Sequence, residues 1–203
     1  TTSIGAYVLN TESHADTMTT DQTNKIKAGS LTIAGYLGSA AVTIAVDATT
    51  TNTSVKKLAA DVNAVKDSTG VEAVAVTKGK IHNVGAIGNI SFDLAGNQTN
   101  GSAATFYDVT ASLTSVSNLD PLVDAINAHS ANTGITAVIG KTTAAELILT
   151  HQTGETIELK TLIVGGSTSN TMRISALDKF GNLTTTADTT LNRAANSGTA
   201  VIT

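Results

Sequence analysis

Leu58-Ala59-Ala60-Asp61-Val62-Asn63-Ala64 and Leu122-Val123-Asp124-Ala125-Ile126-Asn127-Ala128 stand 64 residues apart and superimpose without a gap. The same register carries Thr69-Gly70-Val71-Glu72-Ala73-Val74 onto Thr133-Gly134-Ile135-Thr136-Ala137-Val138. A fixed offset of this kind marks one supersecondary unit present twice in the chain. The fold follows from reading that unit.

In the first copy Val55, Leu58, Val62 and Val65 recur at steps of three and four, which is the spacing of one helix face. In the second copy Leu119, Leu122, Ile126 and His129 occupy the equivalent places. Ser54 and Asn118 are the expected caps for the free amides of the first turns. Pro121 falls within the first turn, where a missing N–H costs no helix bond. Gly70 and Gly134 are expected to end the helices, since glycine enters the left-handed conformation past a C-cap without a Cβ penalty. Asn63 and Asn127 recur near the helix ends, where an amide can bond the following turn. Leu58, Val62, Asn63 and Gly70, with Leu122, Ile126, Asn127 and Gly134, are thus the structural signature of the repeat. Helices of three or four turns do not persist alone in water, so each must dock its apolar face on a sheet.

Candidate strands flank both helices. Leu31 to Ile33 and Val42 to Val46 precede the first, and Val71 to Val76 follow it. Ile90 to Leu94 and Phe106 to Ala111 precede the second, with Ile135 to Ile139 after it. Beyond that, Leu147 to Thr150 and Ile157 to Leu159 read as a hairpin turning through Gly154. Met172 to Ser175 and Leu183 to Thr186 read as another, around Asp178-Lys179-Phe180-Gly181-Asn182. The expected fold is strand-rich α+β, not doubly wound: two related subdomains, each with a short helix packed on a small, mostly antiparallel sheet. The first subdomain is expected over 1–84, with its repeat copy at about 31–76, completed by 162–203. The second is expected over 85–161, with its copy at about 90–159.

Composition agrees with a β-rich chain. Thr, Ala, Gly and Ser fill 98 of the 203 positions, Trp is absent and only one Pro interrupts the extended runs, so small and β-branched side chains do the packing. With 41% apolar and 14% charged residues, the chain lacks the signature of disorder. A net charge of −4 and scattered Lys and Arg give no footprint for nucleic acid or anionic lipid. No apolar run approaches the roughly 20 residues that span a bilayer, and no signal-peptide pattern opens the chain. Without Cys there is neither disulfide nor thiol chemistry. The chain opens on Thr and is read as a segment of a longer protein.

Chemistry is sparse. His14, His82, His129 and His151 show no i, i+4 or i, i+2 metal-pair spacing, and His129 replaces Val65 of the first copy as a core-edge residue. Asp120 and Asp124 share a helix face where the first copy has Lys56 and Ala60, so a solvated surface explains them. Glu146, Glu155 and Glu158 could gather around Ca²⁺, but no Asp-x-Asn-x-Asp-Gly loop supports them. Gly35 and Gly38, Gly85 and Gly88, and Gly165-Gly166 form no phosphate loop, and there is no Gly-x-Ser-x-Gly elbow. The expectation is therefore no enzyme, no cofactor and no metal.

The strand pair, the helix ending in Ala125-Ile126-Asn127-Ala128, the turn Thr133-Gly134-Ile135-Thr136-Ala137, and then Leu147-Ile148-Leu149-Thr150 and Gly154-Glu155-Thr156-Ile157-Glu158-Leu159 resemble the flagellin inner repeat of bacterial filament proteins. The first copy is similar in helix and turn but lacks the hairpin that follows. Ile4-Gly5-Ala6-Tyr7 resembles the exit from a flagellin's helical domain into its variable outer region. The resemblance implies a structural, surface-exposed and antigenically variable part of a secreted, extracellular motility filament. Its partners would be neighbouring flagellin subunits, joined through flanking helical domains absent from this chain. The isolated segment would be a soluble monomer at micromolar concentration, with no nucleic acid or membrane partner. The resemblance also implies O-glycosylation candidates at Thr50, Thr185 and Thr189, against the plainer reading of these threonines as the polar half of alternating strands. Asn-x-Ser/Thr triplets at Asn52, Asn89, Asn97, Asn100 and Asn182 are the chance product of an Asn- and Thr-rich chain. Two alternatives stay open: a filament-cap or hook-associated segment, which would carry the same repeat, and a secreted adhesin module that binds glycan through exposed strands.

Overall fold

A computed structural model describes residues 29–44, 54–96, 104–141, 145–166, 170–178, 180–182, 189–191 and 200–202. Strands β1 (Gly29–Ala34) and β2 (Ser39–Ile44) form a two-stranded hairpin, followed by α1 (Val55–Asn63) and α2 (Lys66–Thr69). Next come β3 (Thr77–His82), β4 (Gly88–Ala95), β5 (Tyr107–Leu113), α3 (Asp120–Ala128), α4 (Ser130–Thr133), β6 (Ile135–Ile139) and β7 (Glu146–His151). The chain continues through β8 (Ile157–Val164), β9 (Met172–Leu177), β10 (Thr189–Leu191) and β11 (Ala200–Ile202). The fold is a strand-rich α+β arrangement, and every ladder among the described residues is antiparallel.

Two larger sheets enclose one apolar core. The five-stranded sheet has the order β10-β9-β3-β7-β6, and the four-stranded sheet the order β11-β8-β4-β5. Period-two alternation turns Ile81, Leu147, Leu149 and Ile174 of the first inward against Ile90, Phe92, Val109 and Leu159 of the second. In β8 the buried positions shift phase between Leu159 and Leu162, because a bulge at Thr161 (φ 60°) opposes the Ser91–Asp93 stretch of β4. Helix α3 packs against β5 and β6, the facing edges of the two sheets, and drives Leu122 and Ile126 into the seam at zero exposure. The hairpin β1–β2 lies outside this core, with α1 and α2 packed on β2 and Val42, Val62 and Thr69 buried.

Two strand expectations change. Val71 to Val76 form no ladder, whereas the equivalent β6 pairs with β7. A strand needs a neighbour, and the stretch that follows in the first copy, β3, is drawn instead into the five-stranded sheet between β7 and β9. Nor do Leu147 to Leu159 make a hairpin: β7 pairs with β6 and β3, while β8 pairs with β4 and β11 in the other sheet. The loop through Gly154 crosses between layers because its backbone is tied to the first copy, Lys56 N donating to Gly154 O at 3.0 Å. The ladders likewise tie 77–82 to β7 and β9, and 200–202 to β8. The turn at Asp178–Asn182 is present, with Gly181 N donating to Asp178 O at 3.0 Å. Leu183 to Thr186 lie outside the described residues, and the strand that pairs with β9 is β10. Ala45, Val46, His14 and the Ile4–Tyr7 stretch also lie outside them.

Candidate functional site

The repeated helix and turn are held by the same side-chain hydrogen bonds in both copies. Ser54 caps α1, accepting from Lys57 N at 3.3 Å; Asn118 is not the cap of α3, which is Leu119 without a side-chain bond, and its Oδ1 instead accepts from Asp120 N at 2.9 Å in the turn before the helix. Each helix then breaks for one residue: Val65 (φ −108°, ψ 14°) and His129 (φ −101°, ψ 5°) leave the helical region before the four-residue α2 and α4. Gly70 and Gly134 end those turns in the left-handed region, at φ 73° and 71°.

Side chains then close the turn onto the strand position beyond it. Thr69 Oγ1 donates to Val65 O at 2.9 Å and accepts from Val71 N at 3.2 Å. Thr133 does the same with His129 O (3.0 Å) and Ile135 N (3.2 Å). Asn63 Oδ1 accepts from Ala73 N at 2.8 Å while its Nδ2 donates to Ala73 O at 2.9 Å. Asn127 makes the same pair with Ala137, at 2.8 and 2.9 Å. Each amide mimics one residue of a neighbouring strand. In the second copy it thereby caps the outer edge of β6, which would otherwise present unpaired backbone groups.

The copies differ in burial rather than in local geometry. Ile126 and Leu122 are fully buried, Ala137 is 2% exposed and Asn127 half-buried; Val62 is buried, but Leu58 and Ala73 are only partly so and Asn63 is exposed. A further correspondence escapes the 64-residue register, because Gly96 falls three residues short of the position matching Gly35. A Cβ on Gly35 would lie 1.9 Å from Thr69 O, and one on Gly96 2.3 Å from Thr133 O. In both copies the first strand ends by passing under the carbonyl of the turn threonine, where only glycine fits. The connections between strand, strand and helix differ in length between the copies, by a net three residues from this glycine to the turn threonine, which conceals the match.

The titratable groups are dispersed. Glu146 pairs with Lys80 at 3.2 Å and Glu155 with Lys56 at 2.8 Å, while Glu158 is fully buried with neither carboxylate oxygen hydrogen-bonded. These three glutamates therefore do not share a cation, and among the described residues no group of three His, Asp or Glu side chains could hold a metal. Burial pushes the Glu158 carboxyl up to about 7, against the pull of Lys160. His151 is held below its ordinary value by burial, which outweighs the nearby Glu155 and the carbonyls of Gly96 and Thr133. Its Nδ1 lies 3.2 Å from Thr153 Oγ1. His82 Nε2 lies 2.9 Å from Ser175 Oγ, and His129 stacks obliquely on Tyr107 with 5.8 Å between ring centroids. The exposed Asp178 is shifted down, first by the Asn182 side chain and then by Asn182 N. Asp120 and Asp124 are solvated. Buried Glu158 and the Lys56–Glu155 pair between copies had no local signal in the sequence.

Residues 80–153 match the family model of the flagellin hook IN motif. This stretch of the chain carries a flagellin-type motif. The match runs from the middle of β3 through β4, β5, α3, α4, β6 and β7, and so contains the second copy up to the loop beyond β7. No curated protein matches the chain. The motif supports a structural role related to the flagellar filament or hook. Of the glycosylation candidates, Thr50 and Thr185 lie outside the described residues, and Thr189 opens β10 opposite Ile174. Asn89 and Asn182 are exposed, whereas Asn52, Asn97 and Asn100 lie outside the described residues.

Proposed function

We propose that this chain is the outer, surface-exposed variable region of a flagellin-type subunit, presented to solvent as a hydrophilic and antigenically variable coat. The observation that carries this reading is the flagellin motif in a chain whose longest described helices have nine residues. Such helices are fully occupied in packing the modules, whereas subunit polymerisation needs large, repeated apolar contacts. Those contacts belong to flanking helical domains that join neighbouring subunits. The threonine clusters, including Thr50, Thr185 and Thr189, are the hydroxyls on which O-glycans would be carried.

Replacing residues 1–203 by a short linker in the parent subunit tests the reading. Filaments should still form and should be thinner; failure of a folded deletion variant to assemble would place the polymerisation contacts within this region. A filament-cap or hook-associated protein would instead leave the filament unchanged in width and alter its tip or its junction with the hook. Mass spectrometry of subunits sheared from the cell surface checks both the location and the proposed threonine modifications.

A further inference from the structure

Glu158 lies in β8 fully buried, with neither carboxylate oxygen hydrogen-bonded. Alternation turns Ile157 and Leu159 into the core, so Glu158 points to the opposite face of the four-stranded sheet. There it stands in register with Ala95 of β4 on one side and Val201 of β11 on the other. The charged groups of the described strands on that face are Lys160, Asp93 and Asp108. Lys160 Nζ lies 3.4 Å from the centre of the Phe106 ring, Asp93 accepts from Thr161 Oγ1 at 2.9 Å, and Asp108 accepts from Thr110 Oγ1 at 3.3 Å. Glu155, in the loop before β8, is paired with Lys56, and β11 contributes only Ala200, Val201 and Ile202. Such a site tolerates a neutral carboxyl and opposes the charged form until water reaches it.

The two neighbours of Glu158 differ in how readily they can let water in. Strand β4 has eight residues, is paired with both β5 and β8, and fixes Ile90, Phe92 and Leu94 in the core. Strand β11 has three residues, ends the sheet and is laddered only to β8 among the described residues. Its one further hold is Ile202, seated so close to Gly79 of β3 that a Cβ there would lie 2.3 Å from the Ile202 Cδ1. Short edge elements open at far lower free energy than the sheet interior.

We infer that β11 is a proton-gated edge strand, closed on β8 while Glu158 carries its proton and opening to admit water when the carboxylate forms. The proton passes to solvent, and the charge is then stabilised by hydration that the closed sheet denies it. Burial holds the closed carboxyl at about 7 against 4.5 for an exposed one, so opening releases one proton between those values. The opening constant of β11 should therefore rise about tenfold per pH unit across that window, about 300-fold in all, and level off above it. Mild acid tightens the strand, and neutral solution loosens it.

Native-state amide exchange of the 203-residue chain, followed from about pH 5 to about pH 8, tests this. The β11 amides bonded to β8 should lose protection, relative to intrinsic exchange at each pH, by about tenfold per unit up to about pH 7 and no further. They should be insensitive to low urea, because opening three residues exposes little surface. The amides of β5 should be more protected at every pH and should respond to urea, as expected of exchange through global unfolding. Glu158→Gln keeps the shape and removes the ionisation, and should make β11 protection flat across the range whatever its level. Three results would each overturn the inference: wild-type β11 protection that does not change with pH, a Glu158→Gln chain with the wild-type slope, or β11 amides with the protection and urea response of β5. The last would mean that Glu158 loses its proton only when the whole chain unfolds.

Discussion

Asn127 and Asn63 make the same two hydrogen bonds in the two copies, so replacing each by Ala separates local geometry from its surroundings. Asn127→Ala strands the N–H and C=O of Ala137, which is 2% exposed and sits on a strand edge closed by α3. Each unsatisfied buried group costs about 1–3 kcal/mol, and partial access of water through the vacated amide places the total at about 2–4 kcal/mol. Asn63→Ala breaks bonds at an exposed side chain, and water can take over the freed groups of the half-buried Ala73, so about 0.5–1.5 kcal/mol is expected. Urea denaturation of the two variants gives the difference directly, with the slope m reporting whether unfolding stays two-state. Amide exchange should speed up at Ala137 in Asn127→Ala with its α3 neighbours unchanged. Equal losses in the two variants, or a loss in Asn127→Ala within experimental error, would refute the argument that burial sets the worth of the bridge.

The same contrast extends to the core: Ile126→Ala should cost about 3–5 kcal/mol, and Val62→Ala, at the edge of a small cluster, about 1–2 kcal/mol, by thermal or chemical denaturation. Gly70→Ala and Gly134→Ala share about 1–2 kcal/mol of left-handed strain. Gly134→Ala should cost about 1–3 kcal/mol more, because its new Cβ lies 2.5 Å from buried His151 Nε2. The Cβ of Gly70→Ala meets Tyr36, whose 72% exposure lets the ring swing away. The raised carboxyl of Glu158 favours folding fully below 4.5, and that contribution is lost as pH rises through about 7, so Glu158→Gln should be more stable than wild type at pH 8 by up to roughly 3 kcal/mol. His151 has the opposite sign: its lowered value supports stability above 6.5 and withdraws it as pH falls below that, so the acid limb should flatten in His151→Gln.

What the sequence by itself determined is local. The helix, the amide at its end and the glycine that stops the turn beyond it depend on residues within about ten positions of one another, and the repeat states them twice, although only the first helix takes its expected cap. Period-two alternation likewise placed β1, β4, β5, β6, β7 and β9 to within a residue or two, and β2 with its start three residues late, because the pleat is a property of the strand alone. Partnership between strands was decided by the tertiary structure. Leu147-Ile148-Leu149 and Ile157-Glu158-Leu159 carry the pattern of a hairpin, yet each gains more by facing the other across the core from separate sheets. Val71 to Val76 match β6 in sequence but form no ladder, since a strand exists only where a neighbour supplies hydrogen bonds and β3 was drawn elsewhere. Gly35 and Gly96 hold one role at different offsets, which becomes visible only when the threonine carbonyl above each is in place. Glu158 shows the limit most plainly: it sits within an ordinary alternating run, and its burial is fixed by the strands on either side, contacts that span up to 63 residues of chain and leave no trace in its immediate neighbours.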